Sequence, residues 1–138
     1  MMELTDALAA EHAAIFAYGM IGGRLDGDEA DAARTAEAAH RSRRDALLLR
    51  LAERGDTAPV AAPSYELPFP VAGADDARRL ATLVEERVGA VWRAVLPAAG
   101  RDDRTEALAA LVDAAIRATG WRQAAGVEPG TVAFPGAP

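Results

Sequence analysis

An all-α fold is the prediction for this 138-residue chain, and three observations carry it. Alanine dominates an apolar share of 51%, while aromatic residues make up only 5%. Alanine is the strongest helix former, and the β-branched and aromatic residues that strands favour are sparse. Four segments repeat apolar residues at the helical period. The breaks between them are unequal, two short and one long. The expected architecture is a four-helix bundle of two antiparallel hairpins joined by a long crossover, with an irregular C-terminal tail. One domain over 1–138 fits this length, which is ample for one core and tight for two.

The first helix is expected at about 3–25. Leu4, Leu8, Glu11, Ile15, Tyr18 and Gly22 form its stripe, and "LDGD" ends it at Gly27. The second, about 28–54, starts from an Asp28 cap and stops at Gly55, a residue suited to the position after a helix end. The third, about 75–99, carries Leu80, Val84, Val88, Val91 and Val95, and Pro97 and Gly100 close it. The fourth, about 103–125, opens on "RDDRTEAL", where Asp103 and Glu106 fit a capping-box-like start. Its apolar stripe is read as Leu108, Leu111, Val112, Ala115 and Thr119.

Residues 56–74 are rich in proline yet carry Tyr65, Leu67 and Phe69 as anchors. Such a stretch can span roughly 60 Å, against about 40 Å for the second helix, so it can run the length of the bundle. The third helix should then lie parallel to the second, with Leu67 and Phe69 buried and Glu66 near a helix arginine. The tail, 126–138, is too rich in Gly and Pro for helix. Val132 and Phe134 suit packing onto the bundle or a partner.

Charge and composition exclude several functions. The net charge of −6 leaves no footprint for nucleic acid or an anionic membrane. With no cysteine, disulfides, thiolate metal sites and Cys nucleophiles are excluded. The start "MMELTDALAAEH" has neither the basic nor the apolar region of a signal peptide, and no window reaches the ~18 apolar residues of a membrane span. A cytoplasmic protein is expected. Ser42 and Ser64 lack the flanking glycines of a nucleophile elbow. No Gly-rich phosphate loop exists. "HRSRR" reads as a solvated face with one inward arginine.

Polar residues on the apolar stripes mark the candidate site. Glu11 and His12 flank the Leu8/Ile15 line. Glu37, His40, Arg44, Leu48 and Leu51 share a face of the second helix, and Glu85 lies within the Ala81/Val88/Trp92 face while Glu86 points outward. Heights agree as well: Glu11 lies fifteen residues before the turn at Asp26, His40 fourteen after it, and Glu85 fifteen before the turn at Gly100. The matching positions on the fourth helix, near Val112 and Ala115, are apolar. Asp113 is near them but projects toward the edge.

"ALAAEHAAIFAYG", "EAAHRSRRDALL", "YELPFPV" and "TVAFPG" resemble an uncharacterised ferritin-like family, domain of unknown function 4439, from end to end. The resemblance implies a ferritin-like bundle and no established activity. Di-iron ferritin-like proteins use one Glu from each of two helices and a Glu-x-x-His from each of the other two. Glu11, Glu37, His40 and Glu85 match four of those six positions.

Three readings follow. In the leading one the protein is non-catalytic, has no cofactor, and holds a charge network at a degenerate metal site. Arg44, with Arg41 close by, neutralises the carboxylates in it through a planar fork that pairs two oxygens. Tyr18 is a core residue with its hydroxyl at the rim, and His12 a satisfied core histidine. Replacing Arg44 with Leu is then strongly destabilising, and His40→Ala less so. In the second reading Glu11, Glu37, His40 and Glu85 hold a single divalent metal or support a metal-dependent (Fe/Mn) oxidoreductase, since three carboxylates and an imidazole suit Fe, Mn or Zn. Tyr18 then donates to the site or serves as a redox tyrosine. In the third the protein is a small-molecule or partner-binding module with an apolar groove beside Trp92 or Trp121. A homodimer is expected in the leading case, because small alanine-rich bundles bury exposed stripes by pairing.

Overall fold

Four helices follow one another in the computed structural model, which describes residues 2–138: α1 (Met2–Gly22), α2 (Gly27–Glu53), α3 (Ala74–Val95) and α4 (Arg101–Ala124). Met1, part of the expected 1–138 span, lies outside the described residues. A single 3-10 turn, Leu96–Ala98, follows α3 and contains Pro97, and no strand occurs among the described residues.

Close packing joins α2 to α1, α1 to α3, and α3 to α4. Side-chain pairs fix the directions. Tyr18 meets Glu85 and Glu11 meets Trp92, so α1 and α3 run oppositely. Glu29 meets Arg78 and His40 meets Glu85, so α2 and α3 run the same way, as the long crossover predicts. The α2/α4 seam is wider and is spanned by long side chains. Arg43 reaches Glu106 and Asp113 at 2.9 and 2.8 Å, and Arg50 and Arg54 both reach Asp103.

Two helices end in the same motif. The Asp56 N–H donates to the Leu51 carbonyl at 3.0 Å and that of Gly55 to Ala52, with Gly55 at φ +70°. Val127 and Gly126 repeat the pattern on Arg122 and Gln123, with Gly126 at φ +75°. Both are Schellman ends, in which glycine takes the left-handed position. The helix starts differ from expectation. Asp26, not Asp28, precedes α2, Gly100 precedes α4, and neither start has a side-chain cap. Asp103 is instead drawn into the α2/α4 seam, where two guanidinium groups outbid a backbone N–H.

The inner face of α4 also differs. Ala107, Ala110, Ala114, Ala118 and Trp121 are buried, while Leu108, Val112 and Ile116 are exposed. Ranking residues by hydrophobicity selects the aliphatic side of this helix. The bundle selects the alanine side, because small side chains leave room for the large groups at the centre.

Residues 54–73 pass over α1 and α3. Tyr65 packs on Phe16 with ring centroids 5.6 Å apart, and Arg79 covers the Phe69 ring at 3.9 Å. Leu67 and Phe69 are only half-buried, and Val71 is the deep anchor of this segment. Glu66 is exposed. The tail folds back on α3 and α4. Arg93 donates to the Pro135 carbonyl at 2.9 Å and Arg122 to that of Gly130 at 3.3 Å.

Gly136 sits at φ +77°, and a Cβ there would meet the Gly89 carbonyl oxygen at 2.8 Å. Replacing Gly136 with Ala therefore meets both a left-handed backbone and a rigid helix. We expect G136A to release the end of the tail while the bundle stays folded. Faster amide exchange over residues 130–138, with α1–α4 unchanged, is the predicted readout, and unchanged tail protection would contradict it.

Candidate functional site

The centre of the bundle holds one charged residue from each helix: Glu11 on α1, His40 on α2, Glu85 on α3 and Arg117 on α4. Glu11, His40 and Glu85 are each 1% exposed. His40 lies between the two carboxylates. Its Nδ1 is 2.6 Å from Glu11 Oε2, and its Nε2 is 2.9 Å from Glu85 Oε2. Ionised carboxylates only accept, so both ring nitrogens must donate, and His40 is an imidazolium.

The remaining oxygens are also occupied. Trp92 Nε1 donates to Glu11 Oε1 at 2.9 Å, and Arg117 Nε donates to Glu85 Oε1 at 3.1 Å. The Tyr18 hydroxyl donates to Glu85 Oε2 and accepts from Trp121 Nε1 at 3.0 Å. The Tyr18 ring stacks on His40, centroids 5.5 Å apart. No buried side-chain nitrogen or oxygen among the described residues lacks a partner. Two carboxylates face two cations, so the cluster is neutral.

Protonation follows from this geometry. Burial opposes a charge on His40, but hydrogen bonds to Glu85 and Glu11, and their charges, outweigh it and lift its pKa from 6.5 to about 9. Burial pushes the Glu85 carboxyl up, yet His40, Arg117 and the Tyr18 hydroxyl together hold it below its ordinary value. Burial, then the Glu85 charge, push the Tyr18 phenol well above its usual range, so it stays protonated and donates.

Not every expected member joins. Glu37 turns to the helix flank and accepts from Arg41 at 3.0 Å, with Arg41 more than half exposed. Arg44 pairs with its neighbour Asp45 at 2.9 Å and reaches neither central carboxylate. It stands one turn, about 6 Å, beyond the level of His40. Arg117 supplies the guanidinium instead. Its signal was in the sequence: Ala110, Ala114, Arg117 and Trp121 follow a 4-3-4 spacing on one face. Tyr18 is in the core as expected, but its hydroxyl is buried at the centre, not at the rim. His12 is a satisfied histidine, with Nε2 3.2 Å from the Pro59 carbonyl. Trp92 is fully buried against Glu11, and the groove lies beside Trp121 alone.

As arranged, the donors of the site are paired with one another. The two ring nitrogens of His40 point to carboxylates on opposite sides of the ring, and Glu37 is turned away. Among the described residues no three of His, Asp or Glu are placed to share an ion. No helix among them is long and apolar enough to cross a membrane.

A family model for the domain of unknown function DUF4439 matches residues 3–138. The chain belongs to that family. A solved structure similar to this DUF4439 protein is the crystal structure of a conserved hypothetical protein, rv2844, from Mycobacterium tuberculosis. The two are 41% identical, with a TM-score of 0.86 over 89% of this chain and 94% of the other. No curated protein matches the chain.

The network reverses the expected ranking of two substitutions. His40→Ala strands two buried carboxylates, a loss of roughly 3–5 kcal/mol. That lowers the melting temperature by about 10–15 °C. Arg44→Leu breaks an exposed pair and costs at most about 0.5 kcal/mol. The pH dependence has a definite sign. A raised His40 pKa contributes stability that is complete below 6.5 and is lost as pH rises toward about 9. A lowered Glu85 pKa contributes stability present above 4.5 and lost as pH falls below it. Unfolding in urea should show lower stability near about pH 10 than near about pH 6, by roughly 3 kcal/mol. The His40→Ala variant should lack this alkaline loss. A pH-independent wild type would sink the assignment.

Proposed function

We propose that this protein is a non-catalytic, ferritin-like bundle whose central charge network takes the place of a metal centre. One observation carries this reading: both ring nitrogens of His40 are committed to carboxylates, each to a different one. A metal would have to displace the imidazolium proton, turn the ring and recruit Glu37 away from Arg41. The test is elemental analysis of untagged protein after exposure to excess Fe(II), Mn(II) or Zn(II), paired with ¹⁵N NMR of His40. Well under one ion per chain, with both His40 nitrogens protonated near neutral pH, is the expected result. Two stoichiometric ions per chain, or one ion with a neutral His40, would replace this reading with a metal-dependent oxidoreductase.

The same reading includes a homodimer. Leu108, Val112 and Ile116 are 52%, 47% and 65% exposed at four-residue spacing along α4, and Phe134 of the tail is 72% exposed. Val132 of the tail and Val112 and Ile116 of α4 line one hollow. A second copy of the chain would cover this apolar stripe. Light scattering should give twice the monomer mass, and Val112→Glu should return it to one.

A further inference from the structure

The α2/α4 seam is closed along half its length and open along the rest. Arg43, Arg50 and Arg54 bridge it toward the C-terminal end of α2. Toward the N-terminal end no side-chain pair among the described residues bridges it, and a groove of about 480 Å³ remains. Its walls are Ala32, Ala36 and Ala39 from α2 and Gly120 from α4, with Trp121 and Arg117 completing it. Small side chains on both walls leave a slot.

Two features give the slot chemical character. The Trp121 N–H is used inward on Tyr18, so the indole offers only apolar surface to the groove. Arg117 uses Nε on Glu85, and Glu85 is its one partner among the described residues. Its side chain is 22% exposed, which leaves the Nη donors at the groove open to an outside acceptor. The other end of the groove carries Asp28, and Glu29 there is already clamped by both Arg78 Nε and Nη2 at 2.7 Å. An anion is therefore favoured at the Arg117 end and repelled at the opposite one. The volume falls within the range of small-molecule sites.

We propose that this groove binds a small organic carboxylate with a flat apolar body. The carboxylate pairs with the Arg117 Nη groups, where a planar fork matches two oxygens. The apolar body lies between the alanine wall of α2 and Gly120, against Trp121. The site borders the His40 network and shares Arg117 with it, Nε serving Glu85 and the Nη groups facing the groove.

The test is a titration of the full chain with naphthalene-2-carboxylate, followed by ¹⁵N NMR of the Trp121 indole and by calorimetry. A saturable one-to-one shift is expected, with a dissociation constant of about 1 mM or tighter. The neutral analogue 2-naphthalenemethanol should bind at least about tenfold more weakly, since a charge-assisted hydrogen bond is lost. Arg117→Gln should weaken the carboxylate by a similar factor. Because Arg117 also holds Glu85, Gly120→Leu provides a second arm: a Cβ there meets nothing within 4 Å, so the side chain fills the groove without disturbing the helix. G120L should abolish the shift. No saturable shift with the carboxylate, equal binding of the alcohol, or unchanged binding in G120L would each overturn the proposal.

Discussion

A protonated imidazole held between two buried carboxylates governs the rest of this bundle. Glu11 and Glu85 could not both be ionised at 1% exposure without a cation between them. His40 provides it only if its ring is level with both, so α1, α2 and α3 are fixed in height relative to one another. Arg117 completes the balance from α4. Each helix contributes one charge, and a slip of one residue in any helix would leave a buried ion unmatched. The aromatic residues serve the same constraint. Trp92, Tyr18 and Trp121 are the large groups at the centre, and each gives its polar hydrogen to the network or to its neighbour. The alanines of α2 and α4 are the complement: the centre is bulky, so the flanking layers must be small.

The cost of this arrangement explains its character. Replacing a buried ion cluster with apolar residues of equal volume is often neutral or stabilising, whereas removing one member is severe. The cluster therefore specifies register more than it adds stability. A bundle this rich in alanine has few large side chains to lock one helix against the next, so register needs another source. Ion pairs across the α2/α4 seam act in the same sense at the periphery. Asp103, buried between Arg50 and Arg54, aligns the end of α2 with the start of α4.

Much of the fold was legible in the sequence, because helical periodicity and turn residues are local signals. The two hairpins, the long crossover and the parallel course of α2 and α3 follow from segment lengths. The inward placement of Glu11, His40, Glu85 and Tyr18 follows from counting 100° per residue. Arg44 and Glu37 show where counting ends. They lie 40° and 60° from His40 around α2, close enough to share a broad face, yet each found a nearer partner on its own helix. A long side chain at the edge of a face is decided by its neighbours, and the sequence does not rank them. The inner face of α4 was hidden for another reason. Its buried residues are mostly alanine and its exposed ones include Leu, Val and Ile, so hydrophobicity points the wrong way. Only the room left by the aromatic centre decides that orientation, and that is a property of the packed bundle.

This inversion of α4 connects the interior to the surface. A helix that turns alanine inward presents Leu108, Val112 and Ile116 outward, and it stands off from α2 where no arginine draws it in. The centre is closed, with every carboxylate oxygen and ring nitrogen used. The open chemistry is at the seam, where Trp121 and Arg117 form the boundary. Trp121 holds Tyr18 and Arg117 holds Glu85, so both residues facing the groove are bonded to the network behind it. An anion drawing on Arg117 from outside competes with Glu85 for the same guanidinium. Weakening that bond removes one of the influences that hold the Glu85 carboxyl low, and Glu85 is in turn a partner of His40. The groove and the central imidazolium are thus coupled through two hydrogen bonds, and occupancy of one is electrostatically visible at the other.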